Sequence, residues 1–203
     1  MTARRWLLPL LMALPLAALT GCASSTPAPE RYTLPAVEVT AAGGAEAAHE
    51  LRLAPPRLAH YLDVEGIVMQ VDDITLVEAN GHQWAEALSA QLQRGLRDRL
   101  AARLPDTRVV LERPGQAEGD SLRLALEIDR FQGRHDGLAV IGGRWRLEDA
   151  DGTLLAMQGL AAEVALAADG YPALVRALGQ GWDAVADELA TAIRRTRPPG
   201  PPR

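Results

Sequence analysis

Two stretches of the chain carry apolar residues at helical spacing, and most of the remainder alternates as sheet does. From Trp84, leucines recur at 88, 92, 96, 100 and 104, laying one continuous apolar stripe along a helix. Arg94, Arg97, Asp98, Arg99 and Arg103 take the remaining faces, Pro105 stops the run, and Asn80 is placed to cap its start. A second helix is expected over Tyr171–Arg195, where Leu174, Leu178, Trp182, Val185, Leu189 and Ile193 share a face. Arg194 and Arg195 complement the dipole of its last turn. Gly179 and Gly181 weaken its middle, at roughly 1 kcal/mol each against alanine.

Strand patterns surround these helices. Arg31–Val39 reads as a first strand, Thr40–Ala48 as a loose Gly/Ala connection, and Glu50–Ala54 as a second strand. Leu58–Leu62 suggests a short turn or helix, and Val64–Val71 pairs with Ile74–Glu78 across an Asp72-Asp73 turn. Thr107–Glu112 follows the first helix, so the run from Ile74 permits a right-handed crossover with a parallel pair. Between Ser121 and Asp129, Leu122, Leu124, Leu126 and Ile128 alternate with Arg123, Ala125, Glu127 and Asp129, a strand with one polar face. Leu138–Leu147 and Thr153–Gln158 form a hairpin across Asp151-Gly152, which Leu160–Leu166 extends. Gly142-Gly143 inside it marks a bulge or a close backbone approach. The expected fold is α/β (α+β): a single domain, a mixed sheet with mostly antiparallel strands, packed by two long amphipathic helices.

The N-terminus has a different character. Arg4 and Arg5 precede 14 uncharged residues, Trp6–Leu19, with prolines at 9 and 15. As a helix the run would reach about 21 Å, short of the roughly 30 Å hydrocarbon core. It has the length of a signal h-region. Leu19-Thr20-Gly21-Cys22 resembles the bacterial lipobox, in which small residues precede a cysteine whose thiol takes a diacylglyceryl group. An ordinary leader with a stray cysteine is the alternative, but the chain's single cysteine stands at the one position the motif requires. Several acyl chains hold a protein to a bilayer essentially permanently. Ala23 follows the cysteine where an Asp would signal retention in the inner membrane, so by that sorting rule Cys22 points to the periplasmic face of the outer membrane. The expected organisation is a leader over 1–21, the lipidated Cys22 and a flexible tether over 22–30, one domain over 31–196, and a Pro-rich tail over 197–203.

Composition narrows the chemistry. All 21 basic residues among the 203 are arginine, which removes the lysine-dependent Walker-A, Schiff-base and pyridoxal-phosphate chemistries. The net charge is −5, and −7 once Arg4 and Arg5 leave with the leader, with no basic run; this argues against nucleic acid. One cysteine excludes a disulfide framework and a Cys-rich metal site. The four serines include no G-x-S-x-G. His82 and Glu86 could sit one turn apart as a surface polar pair, and His135-Asp136 lies in a polar turn with no evident nucleophile. No catalytic residue, metal site or cofactor is assigned. Asn80 and Trp84 are the candidates for a partner surface, with Trp84 otherwise the first core residue of the helical stripe.

Arg31-Tyr32-Thr33-Leu34, Leu58-x-x-Tyr61-Leu62-Asp63 with Gly66-Ile67-Val68, and Asn80-x-x-x-Trp84-Ala85-Glu86-Ala87-Leu88 follow the lipobox in order. Leu122–Phe131 followed by Gly133, then Gly143-Arg144-Trp145-Arg146-Leu147, continue the pattern. The chain thereby resembles the ABC-type transport auxiliary lipoproteins, the PqiC (YmbA-like) family. That resemblance implies a non-enzymatic adaptor in an intermembrane lipid transport system that supports membrane integrity. Its implied partners are an MCE-domain protein (PqiB-like) bridging the membranes and an inner-membrane transporter component. It also allows a homo-oligomeric ring around an MCE tube. The alternative is an assembly factor or plug for another envelope export machine; a periplasmic hydrolase using His135-Asp136 is the third.

Overall fold

The computed structural model describes residues 28–37, 47–113 and 121–196. The leader, the lipobox Leu19-Thr20-Gly21 with Cys22, most of the Gly/Ala connection and the Pro-rich tail lie outside the described residues. The strands are β1 (Glu30–Tyr32), β2 (His49–Leu53), β3 (Arg57–Leu58), β4 (Gly66–Gln70), β5 (Leu76–Trp84), β6 (Thr107–Leu111), β7 (Leu122–Arg134), β8 (Leu138–Glu148) and β9 (Leu154–Ala165). Helix α1 (Leu88–Arg103) falls between β5 and β6, and α2 (Tyr171–Thr196) closes the fold.

β7 organises the sheet. One edge is shared in succession by β2 at Leu122–Leu124, β3 at Glu127–Ile128 and β4 at Gly133–Arg134, all parallel to it. The other edge pairs along its whole length with β8, antiparallel, and β8 pairs likewise with β9. The sheet is mixed as expected. Its long ladders are the two antiparallel ones, and its parallel pairs are short. β6 has a parallel partner, but that partner is β2, while β5 sits between β4 and β1. The expected crossover therefore joins strands that are not neighbours.

The alternation read from the sequence orients β7. Leu124, Leu126 and Ile128 enter the core with Leu147 and Trp145 of β8, and α1 and α2 cover that face. Both expected stripes are buried, including Leu88, Leu92, Leu96 and Leu100 of α1 and Leu174, Leu178, Trp182 and Ile193 of α2. Gly179 and Gly181 are close approaches: a Cβ would stand 2.8 Å from Pro35 Cδ at the first and 2.8 Å from Ile141 Cδ1 at the second. Gly143 answers likewise, since its Cβ would lie 2.1 Å from the Glu127 carbonyl oxygen. The glycines that weaken α2 as an isolated helix let it touch the sheet and the incoming chain.

Three expectations fail locally. β1 stops at Tyr32 and does not continue through Thr33–Ala36, because Pro35 has no N–H to donate and the Leu34 N–H goes to Gln91 Oε1 at 3.0 Å; Val39 lies outside the described residues. α1 begins at Leu88, since β5 continues through Trp84. The Trp84 N–H donates to the Glu65 carbonyl and the Ala85 N–H to the Tyr32 carbonyl, both at 2.8 Å, so the backbone there belongs to the sheet. Asn80 is consequently an exposed strand residue, and Ala87 precedes the helix without a side-chain cap. Finally, Arg99 is not on a wet face. It is 1% exposed, donating from Nε to Asp183 at 2.8 Å and from Nη2 to the Pro35 carbonyl at 3.0 Å.

Candidate functional site

The chain enters the fold through a clamp. β1 lies parallel to β5, with Glu30 opposite His82 and Tyr32 opposite Trp84. The Tyr32 hydroxyl donates to Glu30 and lies 3.0 Å from His82 Nδ1, which then serves as the N–H donor. The His82 ring stacks on Tyr171 at the start of α2, with centroids 4.0 Å apart. Burial and the hydrogen bond to Glu30 push the Tyr32 hydroxyl up to about 12. The next residues are pinned as well, Leu34 by Gln91 and Pro35 by Arg99 and the flat surface at Gly179. Glu30–Pro35 is thus held from both helices, and the direction in which the preceding chain leaves the domain is set.

That direction leads to the β4–β5 hairpin. Because β1 and β5 are parallel, the chain before Glu30 arrives from the side of Leu76, where the hairpin turns. Asp72 Oδ1 accepts the N–H groups of Ile74 and Thr75 at 2.9 and 2.6 Å, and the Val71 N–H bonds the Thr75 carbonyl at 3.0 Å. These bonds to the ionised carboxylate hold Asp72 below the usual range. The ordered turn presents Ile74, 85% exposed, together with Val71, Leu76 and Val77. Several exposed apolar side chains at one hairpin tip are the kind of surface that marks contact with a partner or membrane.

The outward face of the sheet carries a second feature, a groove of about 310 Å³. Ala54 and Ala125 form its low floor, and Arg57, Arg123, Arg144 and Arg146 rise around it. Most of these arginines are committed to carboxylates. Arg123 holds Glu112 at 2.8 Å and Glu148 at 2.9 Å, Arg144 holds Glu127 at 2.5 Å, and Arg146 stands 2.9 Å from Glu148. The guanidiniums keep Glu112 and Glu127 below the ordinary carboxylate range. The ion pairs link β7 with β8 and with Glu112, just beyond β6.

The sequence-derived candidates scatter. Trp84 is 3% exposed, its ring 6.1 Å from Phe131, which meets Trp182 edge-on at 5.9 Å. It is a core residue of the sheet and presents no ring to a partner. Asn80 remains exposed on β5. His82 and Glu86 do not pair, as His82 joins the clamp and Glu86 binds Arg94. His135 and Asp136 occupy the exposed β7–β8 turn, where the Asp136 carboxylate accepts both its bonds from Arg134 Nε at 2.9 and 3.0 Å. Among the described residues no group of three or more His, Cys, Asp or Glu could hold a metal ion, and no helix is long and apolar enough to cross a membrane. The hairpin patch and the clamp were missed, because an apolar residue beside a turn has the same letter code whether its face is covered or bare.

Comparison with known proteins gives a consistent result. A family model described as the ABC-type transport auxiliary lipoprotein component matches residues 32–190. The chain is 31% identical over 178 residues to the intermembrane transport lipoprotein PqiC of Escherichia coli K12, covering 87% of this chain and 92% of that one. The PqiC of Shigella flexneri matches equally. The crystal structure of an uncharacterized protein superimposes with TM-score 0.71 at 30% identity, over 82% of this chain and 99% of that one. A Xanthomonas campestris protein shares the fold, with TM-score 0.62 at 19% identity over 83% and 94% of the two chains.

Proposed function

The chain belongs to the ABC-type transport auxiliary lipoprotein family, and from that premise we propose that it is a non-catalytic adaptor of an MCE-type intermembrane lipid transport system. It is held by a lipid on Cys22 at the periplasmic face of the outer membrane. There it steadies the far end of an MCE-domain bridge whose other end meets an inner-membrane transporter component. The match over residues 32–190 carries this reading, since it takes in both helices up to residue 190 and every strand from β2 onward. The geometry supports it too. Glu30–Pro35, which follows Cys22 in the sequence, is clamped to both helices, as an anchored module needs. His135 and Asp136, the residues that hinted at hydrolysis, sit in an open turn with the carboxylate engaged by Arg134.

Affinity purification from detergent-solubilised envelopes tests the proposal. An MCE-domain protein should copurify with the chain. Recovery of a β-barrel or secretin in its place would favour the export-machine alternative and overturn the assignment.

A further inference from the structure

We propose that the tip of the β4–β5 hairpin is a second, non-covalent membrane contact, dipping its apolar side chains into the headgroup region of the bilayer that holds Cys22. The inference rests on the reading of Cys22 as the anchored residue. Two observations meet at this end of the molecule. Val71 and Ile74 at the turn, and Leu76 and Val77 at the start of β5, are exposed, and Asp72 accepts the N–H groups of Ile74 and Thr75. Independently, the parallel β1/β5 register brings the chain in from the same side.

Distance supports the occupant. Ala23–Glu30 is eight residues, with a reach of at most about 29 Å. Leu76, the first residue of β5, precedes His82, the partner of Glu30, by six residues, roughly 20 Å at strand rise, and Ile74 stands in the turn beyond it. That reach exceeds the length of this arm, so a lipid on Cys22 and the hairpin tip can meet the same bilayer. An interfacial segment needs to enter only about 5–10 Å to bury such side chains. Asp72 and Asp73 disfavour an anionic surface, so the contact is apolar and best suited to zwitterionic lipid. The arginine groove lies elsewhere on the sheet, and three of its four arginines face carboxylates.

The test takes the chain from Cys22 to Arg203, which contains every described residue, and couples its single thiol to a maleimide phospholipid in phosphatidylcholine vesicles. Hydrogen exchange at residues 71–77 should slow about fivefold or more on coupling, while the Asp149–Thr153 turn is unchanged. In Ile74→Asp the slowing should disappear with no shift in the unfolding midpoint, because Ile74 is almost fully exposed. Unchanged exchange at 71–77 on vesicles would overturn the proposal. So would equal slowing without vesicles as protein concentration rises, which would mean that a second copy covers the tip. Chemical coupling supplies the anchor whatever the cell does to Cys22, so a failure of native lipidation shows separately, as a free thiol on the extracted protein.

Discussion

At the scale of single residues, Arg99 shows most clearly what one-dimensional patterning misses. By spacing it belongs with Arg97 and Arg103 on a wet helix face, yet α2 and the segment at Pro35 close over it. A guanidinium can occupy that place only because its donors meet Asp183 and the Pro35 carbonyl. Removing the anion alone leaves a buried cation short of its partner, so Asp183→Ala should cost about 2–4 kcal/mol. Arg99→Met should cost less, because Asp183 keeps its solvent contact and Arg103 at 3.8 Å. Urea unfolding of both variants checks the order. The reverse ranking would mean that the Pro35 carbonyl, rather than the buried charge, dominates. Trp145 contrasts with Trp182: both are buried, but the Trp182 indole N–H reaches the Leu92 carbonyl at 3.3 Å while the Trp145 N–H has no partner.

At the scale of elements, the residues that were legible are those whose period matches one kind of neighbour. The four-residue leucine step of α1 and the strict alternation of β7 each name one buried face, and both faces are buried in the structure. Boundaries were less legible where a strand borrows partners from distant sequence. Ala79–Trp84 reads as an approach to a helix, but Glu65 and Tyr32 take its backbone hydrogen bonds and keep it in the sheet. β1 is the converse case, a strand three residues long whose backbone pairing with β5 is reinforced by side chains. The Tyr32 hydroxyl gives this element a pH signature. Its value is raised from about 10 in an unfolded chain to about 12. The clamp's contribution is therefore complete below about pH 10 and is lost as pH rises through about 12. Limited proteolysis should show cleavage before Glu30–Tyr32 speeding up across that window, and Tyr32→Phe should abolish the alkaline step. A cleavage rate flat with pH in the wild type would place the clamp's strength elsewhere.

At the scale of the whole molecule, the sheet separates its faces by task. One is buried under two helices, the other is laced by arginine–carboxylate pairs, and one end combines the incoming tether with an exposed apolar tip. The class of fold and the order of strands and helices were readable from periodicity. The placing of β2, β3 and β4 end to end along one edge of β7 was not, since strand pairing is decided by contacts far apart in sequence. The family was legible from short motifs in order. The end proposed to meet the membrane was legible only once register showed which way the chain runs into β1.

The claim on which the whole reading depends is the covalent anchor at Cys22, and intact-mass spectrometry of the protein extracted from its native membranes tests it most directly. The account predicts a chain that begins at Cys22 and carries the added mass of a diacylglyceryl thioether and an N-acyl group. A chain with an unmodified thiol, released as a free periplasmic species, would contradict it.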